Sequence, residues 1–141
     1  MRVVLDANQY VSAVLKPSSK PAEVVQLALE KKLALLASEA ILEEIERVLC
    51  YPKLKKIHQL NTEEIDRYIQ EIQEAATITP GKLKIQAVKE DPTDDKYLVC
   101  AVEGEADYIV TGDQRLKAMG SFRGILIVDP ANFLRIVSNA L

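Results

Sequence analysis

The stretch Arg2-Val3-Val4-Leu5-Asp6-Ala7-Asn8 decides how the chain is read. Three apolar residues run directly into an acid, and a helical pattern follows, with Val11, Val14 and Leu15 at three- and four-residue spacing. A short apolar run bounded in this way reads as a buried strand that ends at Asp6. Parallel α/β proteins bind ligands outside the carboxyl ends of their strands, so Asp6 stands at the working edge of such a sheet.

Working outward from that strand, the alternation repeats. A loop over 16–21 passes into a helix opened by Pro21, a residue tolerated in the first turn. Leu33-Ala34-Leu35-Leu36-Ala37 is the second strand, and Ser38 caps the next helix. Ile41, Leu42, Ile45, Val48 and Leu49 make the apolar face of that helix. At about 100° per residue, Glu44 falls on the flank of this face and Glu43 points nearly away from it. Tyr51-Pro52 is expected to stop the helix, and a polar, basic stretch follows from Lys53 to His58. Asn61-Thr62-Glu63-Glu64 resembles a capping box, opening a helix that runs to about Ala76. Thr77-Ile78-Thr79 is a candidate third strand and Pro80-Gly81 a turn. Lys82 to Val88 fits either a short edge strand or an extended loop.

Asp91-Pro92 breaks the chain, and Thr93 or Asp94 caps a helix with Leu98, Val99, Ala101 and Val102 on its buried side, ended by Gly104. Asp107-Tyr108-Ile109-Val110 is the fourth strand, leading into Thr111-Gly112-Asp113 and a helical turn from Gln114 to Met119. Ile125-Leu126-Ile127-Val128 is the fifth strand, and Pro130 starts a terminal helix. This alternation predicts a three-layer α/β/α fold, Rossmann-like, with a central parallel sheet of about five strands in one domain over residues 1–141.

With 141 residues, 48% of them hydrophobic, the chain can build a core without disulfides or a structural metal. Cys50 and Cys100 match no CxxC or zinc spacing, so both are read as reduced core residues, in keeping with a cytoplasmic protein. No signal peptide is expected, and no apolar run approaches the roughly 18–20 residues that cross a membrane. The net charge of −3 argues against coating nucleic acid by bulk electrostatics. His58 is the single histidine and has no acid beside it. Ser/His/Asp and Cys/His hydrolysis and a histidine-based zinc site are thereby disfavoured. Carboxylates must carry any chemistry.

Four chain segments aim carboxylates at one sheet edge. Asp6 lies past strand one, Glu44 lies two turns into the helix after strand two, Asp94 and Asp95 open the helix returning to strand four, and Asp113 lies past strand four. Each alone is most simply a helix cap or a solvated acid; their coincidence points to a site. Bare clustered carboxylates raise one another's pKa values and destabilise a fold. A hard divalent cation, Mg²⁺ or Mn²⁺, removes that conflict through oxygen ligands. It also activates water and offsets charge on a phosphodiester, and two ions about 3.5–4 Å apart can serve nucleophile and leaving group separately.

In this ordered set the chain resembles a PIN domain (PilT N-terminus) ribonuclease, in the branch described as toxin components of toxin–antitoxin systems. The matching stretches are Val-Leu-Asp-Ala-Asn-Gln-Tyr-Val-Ser-Ala-Val-Leu at 4–15 and Ser-Glu-Ala-Ile-Leu-Glu-Glu-Ile-Glu-Arg-Val-Leu at 38–49. They continue with Asp-Pro-Thr-Asp-Asp-Lys-Tyr-Leu at 91–98, Ala-Asp-Tyr-Ile-Val-Thr-Gly-Asp at 106–113 and Ile-Val-Asp-Pro-Ala-Asn-Phe-Leu at 127–134. The resemblance implies a PIN-like fold and a metal-dependent endoribonuclease acting on single-stranded or structured RNA. It implies an acidic quartet of Asp6, Glu44, Asp95 and Asp113 as catalytic metal ligands, with Asp94 as an extra ligand or outer group. Asn8 and Thr111 become the polar neighbours that orient carboxylates and water. A homodimer and a small antitoxin partner are implied as well. Ala7 departs from the branch, which usually has threonine there, with no metal ligand lost. Arg47, Lys53, Lys55, Lys56, Arg115 and Lys117 are candidate phosphate contacts, weighed against a plain solvated surface.

Two other chemistries fit less well. A haloacid-dehalogenase-like phosphatase wants a second aspartate where this chain has Asn8, and an acid where it has Lys117. A response-regulator receiver wants an acidic pair near strand one, which is absent. A non-catalytic RNA- or antitoxin-binding module is the remaining alternative.

Overall fold

The structure, a computed structural model, describes residues 1–87 and 94–140. Five parallel strands, β1 (Arg2–Leu5), β2 (Ala34–Ser38), β3 (Ala76–Thr79), β4 (Tyr108–Val110) and β6 (Ile125–Val128), are joined by the short antiparallel β5 (Ser121–Phe122). The sheet order is β3-β2-β1-β4-β6-β5. Helices α1 (Ala7–Leu15), α2 (Lys20–Leu29), α3 (Glu39–Leu49), α4 (Pro52–His58), α5 (Thr62–Ala75), α6 (Asp95–Glu103), α7 (Gln114–Met119) and α8 (Pro130–Ala140) flank it.

The central strands are apolar because both faces are covered. Val3, Val4, Leu5, Ile109 and Val110 are all without solvent exposure. The helices start where the sequence supplies caps. Ser38 Oγ accepts the Ile41 N–H at 3.4 Å, and Ile41, Leu42, Ile45 and Leu49 of α3 turn into the core. A reciprocal capping box opens α5: Asn61 Oδ1 accepts the Glu64 N–H at 2.8 Å, and Glu64 Oε1 accepts the Asn61 N–H at 3.1 Å.

The expected parallel sheet of about five strands is present, and β5 adds a sixth, antiparallel strand among the described residues. With two residues, β5 is too short to show any alternation in sequence. As expected, α3 ends ahead of Tyr51-Pro52, at Leu49, but Pro52 then opens a further helix, α4, at the position where a missing N–H costs nothing. Other expectations are corrected. His58 is a clip between helix ends. Its Nδ1 accepts the Leu60 N–H at 2.9 Å, which leaves Nε2 to donate to the Leu49 carbonyl at 2.8 Å. Cys50 is exposed at the C-cap of α3, so only Cys100 is a core thiol. Residues 80–87 carry no helix or strand. Val88 and the proposed cap Thr93 lie outside the described residues.

Strand order places the crevice. From β1 the chain moves outward to β2 on one side, and from β4 it moves to β6 on the other. Such a reversal opens a cleft at the carboxyl ends of the two strands where it occurs. The pairing of Leu5 with Val110 sets Asp6 beside Thr111 at that point.

Candidate active site at the switch point

Asp6 leaves β1 and becomes the N-cap of α1. Its N–H still bonds the Val110 carbonyl at 3.2 Å, which extends the ladder by one residue. Oδ1 accepts the Gln9 N–H at 3.1 Å, and the Thr111 hydroxyl donates to Oδ2. Asp6 is only 3% exposed. Burial lifts its pKa above the ordinary carboxylate value; hydrogen bonds from Thr111 and Gln9 oppose the rise, and the charge of Asp113 adds to it.

Asp113 caps α7 with one oxygen. Oδ1 accepts the N–H groups of Arg115 at 2.8 Å and Leu116 at 3.1 Å. The Asp113 N–H donates to Thr111 Oγ1 at 2.9 Å. Thr111 therefore serves both acids: its proton goes to Asp6 and its lone pair takes the Asp113 amide. Asp129, which lies in the matching stretch 127–134 but not among the expected site acids, follows β6 on the same edge and caps α8 through the Asn132 N–H at 2.8 Å.

Glu44 is half-buried on α3, whereas Glu43 is exposed. The Tyr97 hydroxyl donates to Glu44 Oε2 and accepts the Ala7 N–H at 3.1 Å, so one phenol ties α3 to the start of α1. Glu44 Oε1 is met by Lys96 Nζ at 3.1 Å and by Arg47 Nη2 at 3.4 Å. The Lys96 ammonium lies 5.3 Å from the centre of the Tyr97 ring. Burial, and then the bond to Glu44, push the Tyr97 hydroxyl far above its ordinary value and keep it a donor. Neither Lys96 nor Tyr97 is singled out by the sequence alone, although both directly follow the acid pair.

Asp95 begins α6, is nearly buried, and accepts the Ala87 N–H at 3.2 Å. Asp94 takes the N-cap position without a side-chain capping bond. Asn8 is exposed, and it is Gln9 that bonds Asp6. Gln9 is buried, and its Oε1 has no hydrogen-bond partner among the described residues.

The structure thus brings Asp6, Thr111 and Asp113 together and links Glu44 to Ala7 through Tyr97. Among the described residues, no three acids, cysteines or histidines are grouped to hold a metal ion. The chemistry at Asp6 nevertheless suits a cation. A buried carboxylate is destabilised by a second one nearby, and the unpartnered Gln9 Oε1 adds a neutral oxygen. An all-oxygen donor set of this kind favours a hard ion.

An uncharacterized protein of Methanocaldococcus jannaschii is 29% identical over 116 residues, which cover 82% of this chain and 73% of that protein. The crystal structure of VapBC2 from Rickettsia felis bound to a DNA fragment from their promoter shares the fold, with a TM-score of 0.59 at 15% identity. The match covers 92% of this chain and 98% of that one. The family model described as PIN domain matches residues 2–115, a span that begins with β1 and holds Asp6, Glu44, Asp94, Asp95 and Asp113. Matched from its first strand through the last of those acids, the chain belongs to the PIN domain family, whose members are generally nucleases.

Proposed function

We propose that the protein is a metal-dependent endoribonuclease, hydrolysing RNA phosphodiester bonds at the carboxyl ends of β1 and β4. The observation that carries this reading is the shared threonine: Asp6 and Asp113 arrive from neighbouring strands onto one hydroxyl, with Asp6 buried and raised. Mg²⁺ or Mn²⁺ held by Asp6 and Asp113, with Asp94, Asp95 and Glu44 as the other acids of the site, would supply hydroxide near neutral pH and offset phosphate charge. Thr111 and Gln9 fix the carboxylate of Asp6 through hydrogen bonds. Tyr97 holds Glu44 against the start of α1.

The toxin role in a toxin–antitoxin pair is part of the same proposal. It is supported by the family resemblance and by a structural neighbour that is itself a VapBC2 complex. A small antitoxin and a second copy of the chain are the proposed protein partners, and the cytoplasm is the proposed compartment. No helix among the described residues is long and apolar enough to cross a membrane. One observation favours a non-catalytic RNA- or antitoxin-binding module instead: the described residues form no three-acid cluster.

Labelled single-stranded RNA incubated with Mn²⁺, or with EDTA, separates these readings. The proposal predicts cleavage only with metal, and a loss of roughly 10²-fold or more in Asp113→Asn, the scale of losing one electrostatic partner of a transition state. Cleavage that persists in EDTA, or is equal in Asp113→Asn, would contradict it.

A further inference from the structure

The edge of the sheet carries two polar clusters of different composition. At Asp6 and Asp113 two carboxylates share one hydroxyl, an arrangement that attracts a cation. At Glu44 the balance is reversed. One carboxylate meets two cationic groups, Lys96 Nζ at 3.1 Å and Arg47 Nη2 at 3.4 Å on Oε1, while the Tyr97 hydroxyl occupies Oε2. A divalent ion binding Glu44 would have to displace an ammonium and face a guanidinium. Both oxygens already have protein partners.

Lys96 is also held in an unusual way for a surface lysine. Its side chain is 18% exposed, and the ammonium is fixed between the Glu44 carboxylate and the face of the Tyr97 ring. An ammonium is a compact point charge with three donors, and Glu44 uses one of them. Tyr97 accepts the N–H of Ala7, the residue after Asp6, so this cation is tied to the same edge as the acid pair. Excess positive charge beside an acidic cluster suits a phosphodiester, whose non-bridging oxygens need a cation besides the one at the scissile bond.

We propose that Glu44 is in this chain a positioning residue, and that Lys96, the group it positions, contacts a backbone phosphate of the RNA. The assignment rests on the ribonuclease reading of the site. Glu44 sets where Lys96 sits, Tyr97 sets where Glu44 sits, and Arg47 lies one turn along α3 as a second, more exposed cation.

Two binding measurements on the full chain test this without relying on turnover. Binding of a fluorescein-labelled, mixed-sequence single-stranded RNA is followed in EDTA across a salt series, and Mn²⁺ binding is followed by calorimetry. Lys96→Gln is predicted to weaken RNA binding roughly tenfold, the scale of one hydrogen bond to a charged group. Its salt dependence should become shallower by about 0.7, one single-strand phosphate contact, and Lys96→Arg should restore that slope. Glu44→Gln should weaken RNA to a similar degree, leave Mn²⁺ affinity within about twofold of wild type, and add little to Lys96→Gln in the double variant. Loss of Mn²⁺ affinity by roughly tenfold in Glu44→Gln would overturn the assignment, since Glu44 would then serve the metal, directly or through its ligands. Unchanged RNA affinity and salt slope in Lys96→Gln would overturn it equally. Asp6→Asn reports on the other cluster: if it keeps full Mn²⁺ affinity, the metal-centre reading fails while the Lys96 result stands by itself.

Discussion

One buried hydroxyl holds the two acids of the switch point in place. Thr111 has no solvent exposure, donates to Asp6 and accepts the Asp113 N–H. Thr111→Val removes both bonds at nearly constant shape, so a part-buried N–H and a buried carboxylate each lose a partner. The expected cost is about 1–3 kcal/mol, read as a lower urea midpoint at unchanged slope. Thr111 also opposes the burial that raises Asp6, so its loss lifts that carboxyl further. The acidic limb of the pH–activity profile should therefore move to higher pH, and an unmoved limb would show that Asp6 is not the group titrating there. Asp6 and Asp113 are readable in sequence because a strand running into an acid is a local signal. Lys96 and Tyr97 are not, because their roles exist only once α6 meets α3. Gln9 left a trace that could have found it: Asp6-Ala7-Asn8-Gln9 has the spacing of a capping box, which points to Gln9 rather than Asn8.

Elements are joined at contacts with little slack. At Gly104, which ends α6, an added Cβ would lie 2.6 Å from Leu36 Cδ1, and Leu36 is buried in β2. Gly104→Ala is predicted to destabilise by about 1–3 kcal/mol through overpacking, and combining it with Leu36→Ala should cost less than the sum of the two. Strict additivity in thermal melts would contradict this. At the same end of α6, Glu103 accepts the N–H groups of Gly81, Lys82 and Leu83 at 2.7, 2.8 and 3.2 Å. Desolvation raises this carboxyl, but the hydrogen bonds together prevail and hold it below the ordinary value of 4.5. A depressed acid lends stability above its unfolded pKa and loses it as pH falls through the folded one. Amide exchange at 81–83 should accelerate in Glu103→Gln, and in wild type below about pH 4.5 once intrinsic exchange rates are allowed for. Capped helices such as α3 and α5 are legible because their signals lie within four residues. Helix α4 is hidden behind a proline that follows the end of α3 and also starts the next helix. Strand order and register depend on pairings distant in sequence, which no local pattern encodes.

At the scale of the molecule, the acid pair sets how stability depends on pH and metal. Asp6 has a raised pKa in the fold, so the stability it lends is complete below its unfolded value near 3.8 and is lost as pH rises through the folded value. The metal-free protein at neutral pH then carries a penalty that Asp6→Asn removes. In EDTA at pH 7 that variant should melt higher than wild type, by roughly 3 °C for each kcal/mol gained, and the difference should vanish at low pH. Mn²⁺ should reverse the ranking, adding about 2.7 kcal/mol to wild type at a hundredfold excess over Kd and little to the variant. Cleavage of single-stranded RNA with Mn²⁺, compared between wild type and Asp6→Asn, tests the role of this carboxylate most directly. A metal centre built on Asp6 predicts cleavage by wild type and a fall of roughly 10²–10³-fold in a variant that remains folded. Equal metal-dependent cleavage by both would contradict it.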